Sequence, residues 1–138
     1  MSLTLFFSIL AGAGILAVFS LARMSGWREI AAQYASASFP STNCHRWITG
    51  RLGIVLYRNL VFVATEQGLY VRTVRWTSVF HTPLFIPWDE ISIDSGQSLL
   101  TPTVRLTFRR VPRRSLGLLA GDFNRLNCGG QSDGRVCP

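Results

Sequence analysis

The sequence predicts a mainly β domain with flanking helices, carried behind a single N-terminal transmembrane helix. Three observations predict it. Ser2 to Ala22 holds neither a charge nor a proline, apolar residues recur with a period of two from about Gly50 onward, and short Gly-, Pro- or Ser-containing breaks separate those runs. At 138 residues there is room for one domain, and the chain beyond the apolar opening suffices for one modest core.

The opening stretch reads SLTLFFSILAGAGILAVFSLA. As a helix rising about 1.5 Å per residue it extends roughly 30 Å, the thickness of a bilayer's hydrocarbon. Lipid offers no partner to backbone amides, so a helix is the form this segment takes there. Ala11 to Gly14 put small residues near its centre, where they permit close helix–helix contact. A cleaved signal peptide is the rival reading, because Ser20-Leu21-Ala22 has the small-x-small form of a cleavage site. Against it, no Lys or Arg precedes the apolar run, and the run exceeds a usual signal core. Arg23 and Arg28 follow the run and place its C-terminal side in the cytoplasm. Residues 1–23 are therefore expected to be a single-pass anchor in a bacterial inner membrane, with the remainder cytoplasmic.

The net charge is +7, from 14 basic and 7 acidic residues, and there is no Lys. All-Arg usage follows from a GC-rich genome and points to a bacterium. A basic domain beside an anionic leaflet is attracted to it by roughly 1 kcal/mol per charge near the surface. The arginines are scattered and no recognition motif accompanies them, so nucleic acid is not an expected partner. Cys44, Cys128 and Cys137 make an odd count without a CxxC spacing, which excludes the familiar zinc and redox motifs. In the cytoplasm all three are expected as free thiols; outside it, Cys128 and Cys137 are the natural pair.

Residues 24–43 read as a juxtamembrane helix and linker. Trp27, Ile30, Ala31 and Tyr34 recur at helical spacing with Arg28 and Glu29 on the polar side, Ser25 is a candidate cap, and Phe39 to Asn43 breaks the pattern. The apolar face is expected to pack on the domain rather than in lipid. Residues 44–126 form the β domain. Gly53–Tyr57 and Leu60–Thr65 read as short strands, Glu66-Gln67-Gly68 as a turn whose Gly supplies a positive φ, and Leu69–Trp76 as a third strand with two mixed faces. A fourth strand begins at Pro83 and ends at Pro87-Trp88-Asp89-Glu90. A fifth covers Ile91–Asp94 before a Ser95-Gly96 turn. Val104, Leu106 and Phe108 alternate with Arg105, Thr107 and Arg109, the pattern of a strand solvated on one face. Ser115–Leu126 suits a short closing helix, weakened by Gly117 and Gly121. Residues 127–138 read as a flexible tail. Short strands, tight turns and a closing helix predict a small antiparallel barrel or sandwich.

Ser25–Tyr34 (SGWREIAAQY), Gly68–Val71 (GLYV) and His81–Ser92 (HTPLFIPWDEIS) resemble segments of small uncharacterised bacterial membrane-anchored proteins. Those carry GW-x-x-LA-x-x-Y, GLYL and HPPL-x-IPW-x-EI; the likeness covers Ser25 to Ser92, and the IPWDEI box is its most specific part. Strand–turn–strand followed by IPW-x-x-I is also similar to bacterial PH-like and GRAM-like domains, which implies a split β-barrel closed by a C-terminal helix. The short, Gly-interrupted helix here departs from that pattern. In this resemblance Trp27, Gly68, Ile86, Pro87, Trp88 and Ile91 are structural motif residues, and no activity is carried over.

Arg109-Arg110 and Arg113-Arg114 form the densest positive cluster and are the candidate contacts to a membrane surface. Trp88 reads as a packing anchor at a sheet corner rather than a stacking platform. Asp89 and Glu90 are adjacent, not the opposed pair that glycosidic chemistry requires. His45 and His81 lack ligand-spaced neighbours, and sequence neighbours such as Cys44-His45 rarely take up a nucleophile–base geometry. The expected function is a non-catalytic, membrane-tethered PH-like module binding a partner protein or anionic lipid headgroups, without cofactor or metal. The alternative is a structural or assembly subunit of a larger membrane complex.

Overall fold

A computed structural model describes residues 2–41, 44–74 and 77–128. The residues at 42–43, 75–76 and 129–138, which include the end of the expected linker, the end of the expected third strand and most of the expected tail, lie outside the described residues. A helix α1 (Leu3–Met24) leads into a second, α2 (Trp27–Tyr34). Seven strands come next, β1 (His45–Leu52), β2 (Val55–Ala64), β3 (Gly68–Thr73), β4 (Leu84–Pro87), β5 (Ile91–Ser98), β6 (Thr101–Phe108) and β7 (Val111–Leu119), and helix α3 (Ala120–Cys128) ends the fold. The class is mainly β, with an apolar helix in front and a short helix behind.

All neighbouring strands are antiparallel, in the order β4-β3-β2-β1-β7-β6-β5. That order forces the sheet to curl. β4 and β5 are its two edges, yet only the 3-10 turn Trp88–Glu90 joins them. In a flat sheet the edges would stand about 29 Å apart at ordinary strand spacing. The link from Pro87 to Ile91 reaches at most about 14 Å. The sheet therefore closes into a half-barrel until its edges approach, and the Ile86-Pro87-Trp88 corner makes the crossing. Trp88 Nε1 donates to the Thr65 carbonyl at 2.7 Å on one side, and on the other the Arg109 amide donates to the Glu90 carbonyl at 2.9 Å. Ile91 is half-buried against the core at the far end of the corner.

The core fills the curl. Leu60, Phe62, Leu69, Val71, Ile86, Leu106, Phe108, Leu116 and Leu118 line it from the strands. Trp27, Ile30 and Tyr34 enter from α2, and Phe123 and Leu126 from α3. The apolar face of α2 thus packs on the sheet, while Arg28 and Glu29 are exposed. No α1 residue belongs to the core among the described residues; α1 is apolar and exposed along Leu3–Ser20, which is long enough to cross a membrane.

Several elements differ from the sequence reading. β1 lies entirely before the expected first strand. Two bulges break its pairing with β2, and Trp47 adopts a positive φ of 57° with its side chain exposed, so only Ile48, Gly50 and Leu52 carry the inward alternation. Where two short strands are expected across Gly53–Thr65, Val55–Ala64 is one continuous β2, and Gly53-Ile54 is the turn before it. Ser95-Gly96 is not a turn: Gly96 pairs with Thr103, and the hairpin reverses at Leu99-Leu100. Ser115–Leu119 is strand rather than helix, since Leu116 and Leu118 point into the core two residues apart. Gly68 has no positive φ. It is required for space, because a Cβ there would stand 2.5 Å from the Ile86 carbonyl oxygen.

Candidate functional site

The place where the apolar helix meets the β domain is the most highly organised polar and aromatic cluster. The chain leaves α1 and turns at Gly26, whose φ of 78° is left-handed and favours glycine. The adjacent Ser25 is fully buried, and its Oγ accepts from the Trp27 amide at 3.2 Å. Trp27 then drops into the core, and its Nε1 donates to the Thr82 carbonyl at 2.9 Å. The expected capping by Ser25 is therefore only partial: the residue flanking α2 is Gly26, and Ser25 serves the first helical amide from one position earlier.

Tyr57 and His81 close the cluster from the sheet side. The Tyr57 hydroxyl donates to Ser25 Oγ at 2.8 Å and lies 3.1 Å from His81 Nε2. On the other side of the ring, His81 Nδ1 lies 2.9 Å from the Thr77 carbonyl, which only accepts. The His81 ring meets Trp27 edge-on at 5.1 Å and Tyr57 at 5.5 Å. Burial pushes the His81 imidazole below its ordinary value, with the Thr77 carbonyl opposing the shift. Burial also pushes the Tyr57 phenol up. Ser, Tyr and His side chains here resemble a relay, but all three are buried beneath the helix junction and open to no substrate. They fix the direction in which α1 leaves the domain.

His81 makes stability depend on pH. Its folded pKa is lowered, so below about pH 6.5 the unfolded chain takes up a proton that the native imidazole refuses. Stability is then full above that value and falls as pH drops toward the folded pKa. Denaturant midpoints measured at about pH 7.5 and about pH 5.5 should fall on acidification, and His81→Gln should flatten that difference while lowering both midpoints. An unchanged slope in the variant would assign the acid sensitivity elsewhere.

The four arginines expected as surface contacts do not form one patch. Arg114 reaches across to α2, its Nη2 2.7 Å and its Nε 2.9 Å from the two oxygens of Glu29. Its guanidinium lies over Gly26, where a Cβ would collide with it. Arg110 grips Glu90 at 2.8 Å, sits over the Tyr34 ring, and its amide donates to the Tyr34 hydroxyl at 3.1 Å. These two arginines clamp both ends of α2 and the barrel corner. Arg109 and Arg113 have exposed side chains outside any ion pair among the described residues. The Arg114 guanidinium, and Arg113 more weakly, hold the Glu29 carboxyl below its usual range.

The motif residues are drawn together. Gly68 pairs with Pro87, Leu69 with Ile86, Trp88 hangs on the β2–β3 turn, and Trp27 bonds the segment just before β4. A shallow depression beside this corner is lined by Gln33, Tyr34, Ser36, Phe85, Pro87 and Arg110. Cys44, expected as a free thiol in a cytoplasmic domain, is disulfide-bonded. Sequence reasoning missed the burial of His81, which looked like a loop residue beside Thr82-Pro83. Compared with known proteins, the chain matches no family model, no curated protein and no solved structure.

Proposed function

We propose that this chain is a bacterial, membrane-tethered, non-catalytic module of PH-like architecture that binds anionic lipid headgroups beside its own anchor. The observation that carries the proposal is the buried junction. Ser25, Trp27, Tyr57 and His81 join the anchor to the barrel without slack, so the domain keeps one side toward the bilayer into which α1 inserts. Of the four clustered arginines, Arg109 and Arg113 are then free to meet headgroups, whereas Arg110 and Arg114 are engaged with Glu90 and Glu29.

Because no α1 residue belongs to the core among the described residues, residues 24–138 serve for a flotation test with anionic vesicles. Arg109→Ala with Arg113→Ala should cost about 2 kcal/mol of partitioning, roughly 30-fold, at low salt. Retention equal to the parent domain would remove Arg109 and Arg113 as headgroup contacts. Arg23 and Arg28 favour the cytoplasmic side, and we place the domain there; the Cys44 disulfide opposes that placement, since such bonds persist in oxidising compartments. Finding Cys44 oxidised in protein trapped from intact cells by acid and alkylation would move the domain to the outer face.

A second reading, a subunit of a larger membrane complex, draws on the β5–β6 hairpin. Ser92–Gln97 are exposed on both faces, and Leu99 and Leu100 at its tip are 97% and 91% exposed. A stoichiometric integral partner retained in mild detergent would select that reading.

A further inference from the structure

We infer that the domain docks into the bilayer through an apolar rim around the anchor, made by Val79 and Ile54. The inference rests on the tethered reading above and adds a second, independent attachment to the same membrane. It starts from Phe19, which lies inside the apolar stretch Leu3–Ser20, one residue from its end. The Phe80 ring meets the Phe19 ring edge-on at 5.9 Å. Phe80 ends the 3-10 turn Ser78–Phe80, and this turn belongs to the β domain through the His81 junction. A domain loop therefore returns alongside the final turn of the spanning helix, instead of remaining beyond its end.

If α1 spans, that contact sets the depth of the loop. A residue against Phe19 lies within one helical turn, about 5 Å, of the hydrocarbon edge. Val79, the neighbour of Phe80, is 80% exposed. On a soluble surface such a valine is unremarkable; at this depth its side chain meets acyl chains and headgroups. On the other flank stands the β1–β2 hairpin. Gly53 turns there with a φ of 60° against the Ser25 carbonyl, and Ile54 beside it is 70% exposed. Ser25 follows α1 directly, so Ile54 is carried at the level of the anchor's exit.

Charge completes the pattern. Arg23, Arg28 and Arg51 are exposed around the same exit, and Arg51 Nε donates to the Gly53 carbonyl at 3.2 Å, bringing its guanidinium to the hairpin tip. Apolar side chains flanked by arginines make an interfacial binder, in which insertion and headgroup attraction add. Leu99 and Leu100, equally exposed, sit at the opposite end of the β5–β6 ladder from the Arg109-Arg110 turn and serve as an internal control.

The test uses the full chain in liposomes of phosphatidylethanolamine and phosphatidylglycerol. A diazirine-bearing residue replaces Val79, Ile54, Leu99 or Leu10 in turn, all exposed positions whose exchange leaves the core intact. After irradiation, lipid adducts are read by mass. Positions 79 and 54 should label like position 10 and about tenfold more than position 99. Labelling at 79 and 54 no higher than at 99, with strong labelling at 10, overturns the rim and leaves the tether standing. Absence of adducts at position 10 overturns both.

Discussion

Trp27→Ala should lower the stability of the β domain by about 3–5 kcal/mol, the usual cost of emptying a large aromatic site. Trp27 is 2% exposed and is one of the largest fully buried side chains, set against the Tyr57 and His81 rings. Its loss also leaves the Thr82 carbonyl without its indole donor. For a domain of this size the melting temperature should drop by roughly 15–30 °C. A small domain carries only about 5–15 kcal/mol in total, so the variant stands close to unfolding. Trp27→Phe separates the contributions: the ring stays, the Nε1–H is lost, and the expected cost is about 1 kcal/mol from the hydrogen bond plus part of the packing. Circular dichroism melts of residues 24–138 measure both. A Trp27→Ala protein melting within about 2 °C of the parent would mean that the junction does not hold α2 on the sheet.

The features legible in the sequence were those written in local composition. The apolar run Leu3–Ser20 declares itself by lacking charge, and β6 by the alternation of Val104, Leu106 and Phe108. The α2 face of Trp27, Ile30 and Tyr34 is a helical repeat. What escaped depended on distant partners or on irregular backbone. The Leu99-Leu100 reversal uses positive φ values of 45° and 71° at residues that seldom adopt them, so no turn residue marks it. β1 hides behind its bulges, and the Leu-rich end of β7 fits a helical period as well as a strand. His81 is buried because Tyr57 and Trp27 come to it from 24 and 54 positions earlier in the chain. The pairing of Glu29 with Arg114 spans 85 positions. Nothing local to either residue distinguishes that clamp from two solvated charges, which is why four neighbouring arginines read as one patch although two of them are structural.

Strand order makes the IPW corner a mechanical requirement rather than a motif. It places β4 and β5 at opposite edges, and a three-residue turn has to connect them. Ile86 supplies a core anchor, Pro87 lacks an amide that would otherwise face the edge, and Trp88 fastens the turn to the Thr65 carbonyl. Glu90 secures the other side through the Arg109 amide and the Arg110 guanidinium. A barrel edge that pairs poorly at this corner would leave the curl open.

Gly68 is where that requirement is most stringent. Gly68→Ala should cost about 1–3 kcal/mol through overpacking, and Gly68→Val more. The new Cβ would lie 2.5 Å from the Ile86 carbonyl oxygen and 2.8 Å from the Phe85 ring, and the first of these contacts is backbone. Relief comes only if β4 moves away from β3. β4 has four residues and a single neighbouring strand, so it yields before the rest of the sheet does. Hydrogen exchange should therefore rise first in the segment Leu84–Pro87 and at the Trp88 corner, with β6 and β7 protected as in the parent. Gly96→Ala is the matched comparison: it also sits within a ladder, but its nearest neighbour is the Thr103 Oγ1 at 3.7 Å, an ordinary contact, and the change should be close to neutral. Equal stability and equal exchange for the two variants would show that the missing Cβ at Gly68 is not what lets β4 pair with β3.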